Sequence, residues 1–190
     1  LATAARSLVN HGRDPSYLSI DDDQAESFEK LDQIVTRRFL FSEVGYSSRI
    51  TEFEAALGLA QLEDFEDMLI NRRAVAQRLT QMLNPYVDII QLPTIRMGCD
   101  HSFMMYPIVC HHDDKPRLVA FLEQAGIETR DMLPITSQPI YREKFGIKNE
   151  DYPTANWINT HGFYIGCHQE MTEDDLVYIK DNFRTYFSKY

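Results

Sequence analysis

The fold is decided by residues 45–63, which read GYSSRITEFEAALGLAQLE. Gly45 permits a tight turn because it has no Cβ. Thr51 and Glu54 have the spacing of a capping box, in which a hydroxyl and a carboxylate satisfy the exposed amides of a helix start. The residues that follow are small or apolar on nearly every side, a pattern typical of a helix packed on more than one face. The stretch therefore predicts a turn followed by a buried helix, with Gly58 at a close backbone approach.

The end of this turn carries side chains suited to an anion. Ser47 and Ser48 offer hydroxyl donors, and Arg49 offers a planar guanidinium that matches phosphate oxygens. The amides at the following helix start form a positive end that also favours a phosphate. An ordinary capped helix start explains the same residues by spacing alone. The residues themselves leave both interpretations open.

On either side of the turn the chain alternates between short elements. Upstream, residues 1–9 predict a helix that stops near Asn10, residues 16–29 an aspartate-rich surface loop, and residues 28–41 a short helix or extended segment. Downstream, a second helical pattern runs to Leu83 and is followed by a series of short elements. The predicted strands are 87–92, 103–110, 127–133 and 163–167, and the predicted helices are 114–124, 153–160 and 172–187. The pattern indicates an α/β fold, a small sheet with helices packed against it.

Composition narrows the class of protein. The net charge of −10 disfavours nucleic-acid partners, because nonspecific binding depends on neutralising phosphates with Lys and Arg. No apolar run approaches the length of a membrane span, and no signal peptide is recognisable. Cys99, Cys110 and Cys167 are odd in number and lack CxxC spacing, which indicates reduced thiols in a cytoplasmic protein. We expect no metal site, because the adjacent rings of His111 and His112 point to opposite faces of a strand.

Short motifs occur along the chain in a fixed order. Besides the turn and helix at 45–63, they are RSLVNHGR at 6–13, AQLEDFEDMLINRR at 60–73, YPI at 106–108, GIETR at 126–130, QPIY at 138–141 and MTEDDL at 171–176. Together they resemble the DegT/DnrJ/StrS family, the PLP-dependent sugar-nucleotide aminotransferases. The resemblance implies the end of a large PLP domain, then a long helix, then a C-terminal small domain with a short, mostly antiparallel sheet packed by helices. It divides the chain into residues 1–44, 45–84 and 85–190.

The resemblance also implies roles for individual residues. Ser47 stands where the family has an asparagine that contacts the phosphate of the PLP in the partner subunit, and its hydroxyl has a shorter reach. Tyr46 and Arg49 fall on positions expected to contact the nucleotide sugar, and Arg130 and His168 are further expected substrate-binding residues. The family's common His-Tyr pair is replaced here by Met132-Leu133.

The resemblance further implies an enzyme that uses PLP, an amino-acid donor such as glutamate and a nucleotide-linked keto-sugar, and that acts as a homodimer. No lysine of this chain stands in the glycine-rich setting of the family's cofactor-binding lysine, so we expect no catalytic residue in these 190 residues, no tightly bound PLP and no activity of the chain alone. Two alternatives remain open. One is a PLP-dependent sugar dehydratase of the same family, in which histidine replaces that lysine. The other is a non-catalytic oligomerisation or binding domain.

Overall fold

The computed structural model describes residues 1–14, 27, 29, 32, 35, 36 and 40–188. It divides into two compact units, Leu1–Glu63 and Asp64–Tyr190. The predicted loop at 16–29 and the predicted segment at 28–41 fall largely outside the described residues. The division into residues 1–44, 45–84 and 85–190 stays a prediction. No helix in the described part of the chain is long and apolar enough to cross a bilayer.

The described part of the first unit includes two helices with defined bounds and a pair of extended segments. Helix α1 spans Ala2–Leu8, which confirms the helix predicted at the start of the chain. After it, the chain pairs with the segment before α2: Asn10 forms an antiparallel bridge with Ser47, and Arg13 forms one with Phe41. Helix α2 spans Glu52–Glu63.

Helix α2 begins as predicted but is not buried. The Thr51 amide and hydroxyl donate to Glu54 Oε2 at 2.8 and 2.9 Å, which confirms the capping box. None of the twelve residues of α2 is buried, and its large apolar side chains are between 56% and 75% exposed: Phe53, Leu57, Leu59 and Leu62. The expectation of a close approach at Gly58 was wrong, because a Cβ added there would have no described atom within 4 Å.

The second unit is a mixed α/β layer, which confirms the predicted fold class. Its four strands form one antiparallel sheet in the order β1-β2-β4-β3. The strands are β1 Ile90–Gln91, β2 Met105–Cys110, β3 Thr129–Asp131 and β4 Gly162–Gly166. The helices are α3 Phe65–Leu83, α4 Lys115–Gln124, α5 Pro139–Phe145, α6 Pro153–His161 and α7 Glu173–Phe187.

Several boundaries differ from prediction for local reasons. The strand predicted at 87–92 is reduced to β1, because a 3-10 turn at Asn84–Tyr86 reverses the chain direction before the strand begins. The strand predicted at 127–133 is reduced to β3, since Leu133 has a φ of 44° and cannot continue a strand. Helix α5 was not predicted. It starts at Pro139, which is tolerated in a first turn, and ends at Gly146 in the left-handed region.

One face of the sheet packs against helices to form the core. Alternate β2 residues, Tyr106, Ile108 and Cys110, are fully or nearly fully buried, as the two-residue period of a strand requires. Buried residues of the helices complete the cluster, among them Leu79, Leu118, Leu122 and Phe183. Burying each aliphatic or aromatic side chain of this size stabilises the fold by roughly 1.5–3 kcal/mol.

The core contains buried thiol and phenol groups, and their ionisation makes the stability of the fold depend on pH in the alkaline range. Burial raises the pKa of Cys110 and Cys167 from 9.0 to about 11. It raises the pKa of Tyr106 from 10.0 to about 12, although the hydroxyl of Tyr106 lies 2.7 Å from Thr80 Oγ1. The folded state therefore keeps protons that the unfolded chain releases above these ordinary values.

We accordingly expect the free energy of unfolding to be insensitive to these groups below pH 9.0 and to fall as the pH rises to about 11. Urea unfolding at a series of pH values measures this. A Cys110→Ala/Cys167→Ala variant is expected to be less stable at neutral pH but to lose less stability between those pH values. An identical loss in the variant would contradict the assignment to the thiols.

Candidate functional site

The candidate site is the turn at residues 45–49, and its backbone is fixed by two glycines in contact. A Cβ added at Gly45 would lie 2.8 Å from the Cα of Gly12, and one added at Gly12 would lie 2.6 Å from the carbonyl carbon of Glu43. Gly12 also has a φ of 73°, in the region that favours glycine. Neither position has room for a side chain, so the two segments approach as closely as backbones can.

Hydrogen bonds to the end of α1 hold the turn in register. The Tyr46 amide donates to the Leu8 carbonyl at 2.6 Å, and the Tyr46 carbonyl accepts from the His11 amide at 2.9 Å. The Ser48 amide donates to the Val9 carbonyl at 3.0 Å. These hydrogen bonds engage the backbone of the turn, and the side chains of Tyr46, Ser47 and Arg49 are all exposed.

Asn10, which pairs with Ser47 of this turn, has a buried polar side chain that was not among the predicted site residues. Asn10 is 9% exposed, and its side-chain oxygen has no hydrogen-bond partner among the described residues. Nearby, the buried hydroxyl of Ser7 donates to the Arg13 carbonyl at 2.6 Å. The signal in the sequence was two polar residues flanking the apolar pair Leu8-Val9 at the end of a helix. Burial of Ser7 and Asn10 depends on the segment at 40–48, which the local pattern does not reveal.

The helix start contributes less to anion binding than the sequence suggested. The Thr51 amide is occupied by the Glu54 carboxylate, and these hydrogen bonds from Thr51 hold the pKa of Glu54 below its usual range. Glu52 adds a second carboxylate in the first turn of α2. Because these negative charges face the same end of the helix dipole, the donors left for a phosphate are the side chains of Ser47, Ser48 and Arg49.

The other two predicted residues lie in the second unit. Arg130 is on β3 opposite Tyr164 of β4, and its Nε and Nη2 both donate to Glu128 Oε1 at 2.9 and 2.8 Å. The hydrogen bond and the charge of Glu128 raise the pKa of Arg130, which is exposed. His168 is exposed just after β4, and its Nδ1 accepts from the Glu170 amide at 3.3 Å. The structure therefore groups Tyr46, Ser47 and Arg49, and gives Arg130 and His168 separate partners.

One lysine of the second unit, Lys115, has a side chain that is largely buried. The Lys115 side chain is only 11% exposed, and its Nζ lies 2.8 Å from Asp131 Oδ1. It also donates to the Asn159 carbonyl at 2.8 Å. These contacts join the start of α4 to β3 and α6, so Lys115 is a structural cation. Its partners are distant in sequence, and spacing alone does not reveal them.

Comparison with known proteins agrees with the motif order. The profile of the DegT/DnrJ/EryC1/StrS aminotransferase family matches residues 1–184. The chain is 30% identical over 163 residues to the lipopolysaccharide biosynthesis protein RfbH of Salmonella typhimurium, covering 83% of this chain and 37% of that protein. It is 25% identical over 156 residues to the GDP-perosamine synthase of Escherichia coli, covering 81% of this chain and 41% of that protein.

A solved structure shows the same fold. It is that of a GDP-4-keto-6-deoxymannose-3-dehydratase with a trapped PLP-glutamate geminal diamine, which matches with a TM-score of 0.71 at 18% identity and covers 95% of this chain and 47% of that one. The chain thus spans about two fifths of the length of the two curated relatives. The family profile covers nearly all of the sequence, and the chain therefore belongs to the DegT/DnrJ/EryC1/StrS aminotransferase family.

Proposed function

We propose that this chain is part of a PLP-dependent aminotransferase that moves an amino group, with glutamate as the donor, to a nucleotide-linked keto-sugar. The observation that carries the proposal is the turn at 45–49, in which the contact between Gly12 and Gly45 fixes the backbone and exposes Tyr46, Ser47 and Arg49. Family membership supports the reaction class. Relatives named for lipopolysaccharide and GDP-perosamine synthesis support a nucleotide sugar as the substrate.

The donors of the turn fit the phosphate of PLP through side chains. The Ser47 hydroxyl has a short reach and makes no hydrogen bond within the described ranges, so it is available to donate to a phosphate oxygen. Bound PLP supplies an electron sink for a substrate carbanion. In this proposal Ser47 of one subunit holds the phosphate at the active site of its partner in a homodimer. The exposed apolar residues of α2 are consistent with a surface covered by further protein.

The substrate contacts are assigned by charge and exposure. Arg49 presents a fork of donors that matches a diphosphate, and Tyr46 presents a ring and a hydroxyl beside it. Arg130 keeps its positive charge and is oriented by Glu128, so a substrate anion has to compete with that carboxylate. We assign His168 as an additional donor to the substrate. We propose that the cofactor-binding lysine lies outside this chain. Within the described residues, the one lysine whose side chain is largely buried is Lys115, and its amine is already held by Asp131 and Asn159.

Exchange of the residue at position 47 tests the phosphate contact in the complete protein. Ser47→Ala is expected to weaken PLP binding by roughly 10- to 150-fold, because a hydrogen bond to a charged group contributes about 1.5–3 kcal/mol. Ser47→Asn, with its longer amide, is expected to bind PLP at least as tightly as the natural residue. Arg49→Gln is expected to leave PLP affinity unchanged and to raise the KM for the nucleotide sugar about tenfold. Cofactor titration and steady-state kinetics with glutamate measure the two effects separately.

The exposed serine at position 102 provides a matched control, and Ser102→Ala should change neither quantity. The chain alone, treated with PLP and borohydride, should carry only low-level adducts spread over its exposed lysines by mass spectrometry, whereas the complete protein should carry one predominant adduct on a single lysine. Equal PLP affinity in Ser47→Ala and the natural protein would refute the phosphate assignment.

A dehydratase is the second candidate, favoured by the fold shared with the 3-dehydratase structure. It would use the same cofactor contact at Ser47 but remove a hydroxyl from the sugar instead of adding an amine. Mass spectrometry of the product distinguishes these reactions, because only transamination places the nitrogen of labelled glutamate in the sugar. The third candidate is a non-catalytic oligomerisation or binding domain, and a monomer in solution would favour a free-standing binding module despite the exposed α2. Analytical ultracentrifugation measures that state directly.

A further inference from the structure

A cavity of about 330 Å³ lies in the second unit, between the end of β2, the start of α4 and the end of α7. Its wall includes Ile90, Cys110 and Phe187, all buried residues of the core. Burial raises the pKa of the Cys110 thiol to about 11, so this group is neutral at physiological pH. The cavity is at the small end of the range of roughly 300–1,000 Å³ typical of small-molecule pockets. Its inner wall therefore suits a small apolar group.

The rim of the cavity is polar, and its carboxylates already have partners. Asp114 accepts a hydrogen bond from the Tyr186 hydroxyl at 2.7 Å, and Asp113 lies 3.2 Å from His161 Nε2. Arg117, on the first turn of α4, also lines the cavity. Over residues 40–188, its guanidinium makes neither an ion pair nor a hydrogen bond. Of the three charged side chains on the rim, Arg117 is thus the one without a partner among residues 40–188.

We propose that this cavity binds a small apolar monocarboxylate. The apolar body of the ligand packs against Ile90, Cys110 and Phe187, and its carboxylate pairs with Arg117. A guanidinium matches the two oxygens of a carboxylate in a planar, bidentate geometry. None of the five residues assigned to PLP or the sugar lines the cavity, so this inference does not rest on the proposed function.

Three probes with the same ring and different end groups test the proposal: phenylacetate, its neutral amide phenylacetamide, and the cation phenethylammonium. Phenylacetate is expected to shift the amide resonances of Ile90, Cys110 and Phe187 in 1H–15N spectra, and to bind about tenfold more tightly than phenylacetamide. Phenethylammonium is expected to bind most weakly. Because Arg117 is exposed, Arg117→Gln keeps the fold and should weaken phenylacetate binding about tenfold, to the level of the amide.

Arg96 is also exposed and does not line the cavity, so Arg96→Gln is the matched control for the loss of one positive charge. It should leave the affinity for phenylacetate unchanged. The proposal is overturned if no probe shifts these resonances, if phenylacetamide or phenethylammonium binds as tightly as phenylacetate, or if Arg117→Gln and Arg96→Gln have equal effects.

Discussion

Replacing Gly12 by alanine is expected to separate the segment after α1 from the turn at 45–49. The left-handed backbone at Gly12 alone disfavours alanine by about 1–2 kcal/mol. The added Cβ would also lie 2.6 Å from the Glu43 carbonyl carbon, a backbone atom that cannot move aside without displacing the segment. Hydrogen exchange measures the result, because the amides of His11, Tyr46 and Ser48 all donate across this contact. Their protection should fall by at least about tenfold.

Gly58→Ala is the matched control, since a Cβ there meets no described atom. Within a helix this change should be favourable, by up to about 1 kcal/mol. The amides of the second unit should keep their protection in both variants. Unaltered protection of Tyr46 and Ser48 in Gly12→Ala would mean that the two glycines do not fix the turn. The substitution at Gly12 should also weaken PLP binding by the complete protein, if Ser47 holds the phosphate.

Truncating Phe183 to alanine should produce the largest loss of stability in the second unit. The ring is fully buried where α7 meets the core, and removing an aromatic side chain from such a site costs about 3–5 kcal/mol. A loss of this size is a large fraction of the total stability of an ordinary domain, about 5–15 kcal/mol. Denaturant unfolding followed by circular dichroism measures it.

The neighbouring residue on α7 supplies the control. Arg184 is 65% exposed and pairs only with Asp181 at 3.3 Å among the partners described for it. Arg184→Ala should therefore change the free energy of unfolding by less than about 1 kcal/mol. Similar losses in the two variants would show that Phe183 is not part of the packed core.

Local chemistry explains which parts of the fold were predictable. The capping box of α2 connects residues three apart, Thr51 with Glu54, so its spacing alone identified it. The alternation of buried and less buried residues along β2 is also a short-range pattern, so that strand was predictable too. The setting of Lys115 was not predictable from spacing, because its partners Asp131 and Asn159 are brought near only by the sheet and by α6. The exposure of α2 was also not predictable, because an apolar pattern along a helix does not identify which other part of the protein packs against it.

The candidate site divides in the same way. The motif at 45–49 marked the turn, but the approach of Gly12 to Gly45 joins segments that the sequence presents as unrelated stop signals. The buried Asn10 oxygen follows from that approach, and the polar residues that flank Leu8-Val9 gave only a weak local signal of it. The assignments of Tyr46, Ser47, Arg49, Arg130 and His168 came from family resemblance, and they remain predictions about binding.

The order of the sheet affects how the protein is made. The central pair joins β2 to β4, with Met105 opposite Gly166, so the middle of the sheet waits for a strand near the end of the unit. Helix α7, which supplies Phe183 and Phe187, is synthesised later still. A ribosome must therefore release almost all of this unit before its interior can close, and such distant pairing slows folding. Until then one edge of β2 is left unpaired, and such an edge can pair with other chains and promote aggregation.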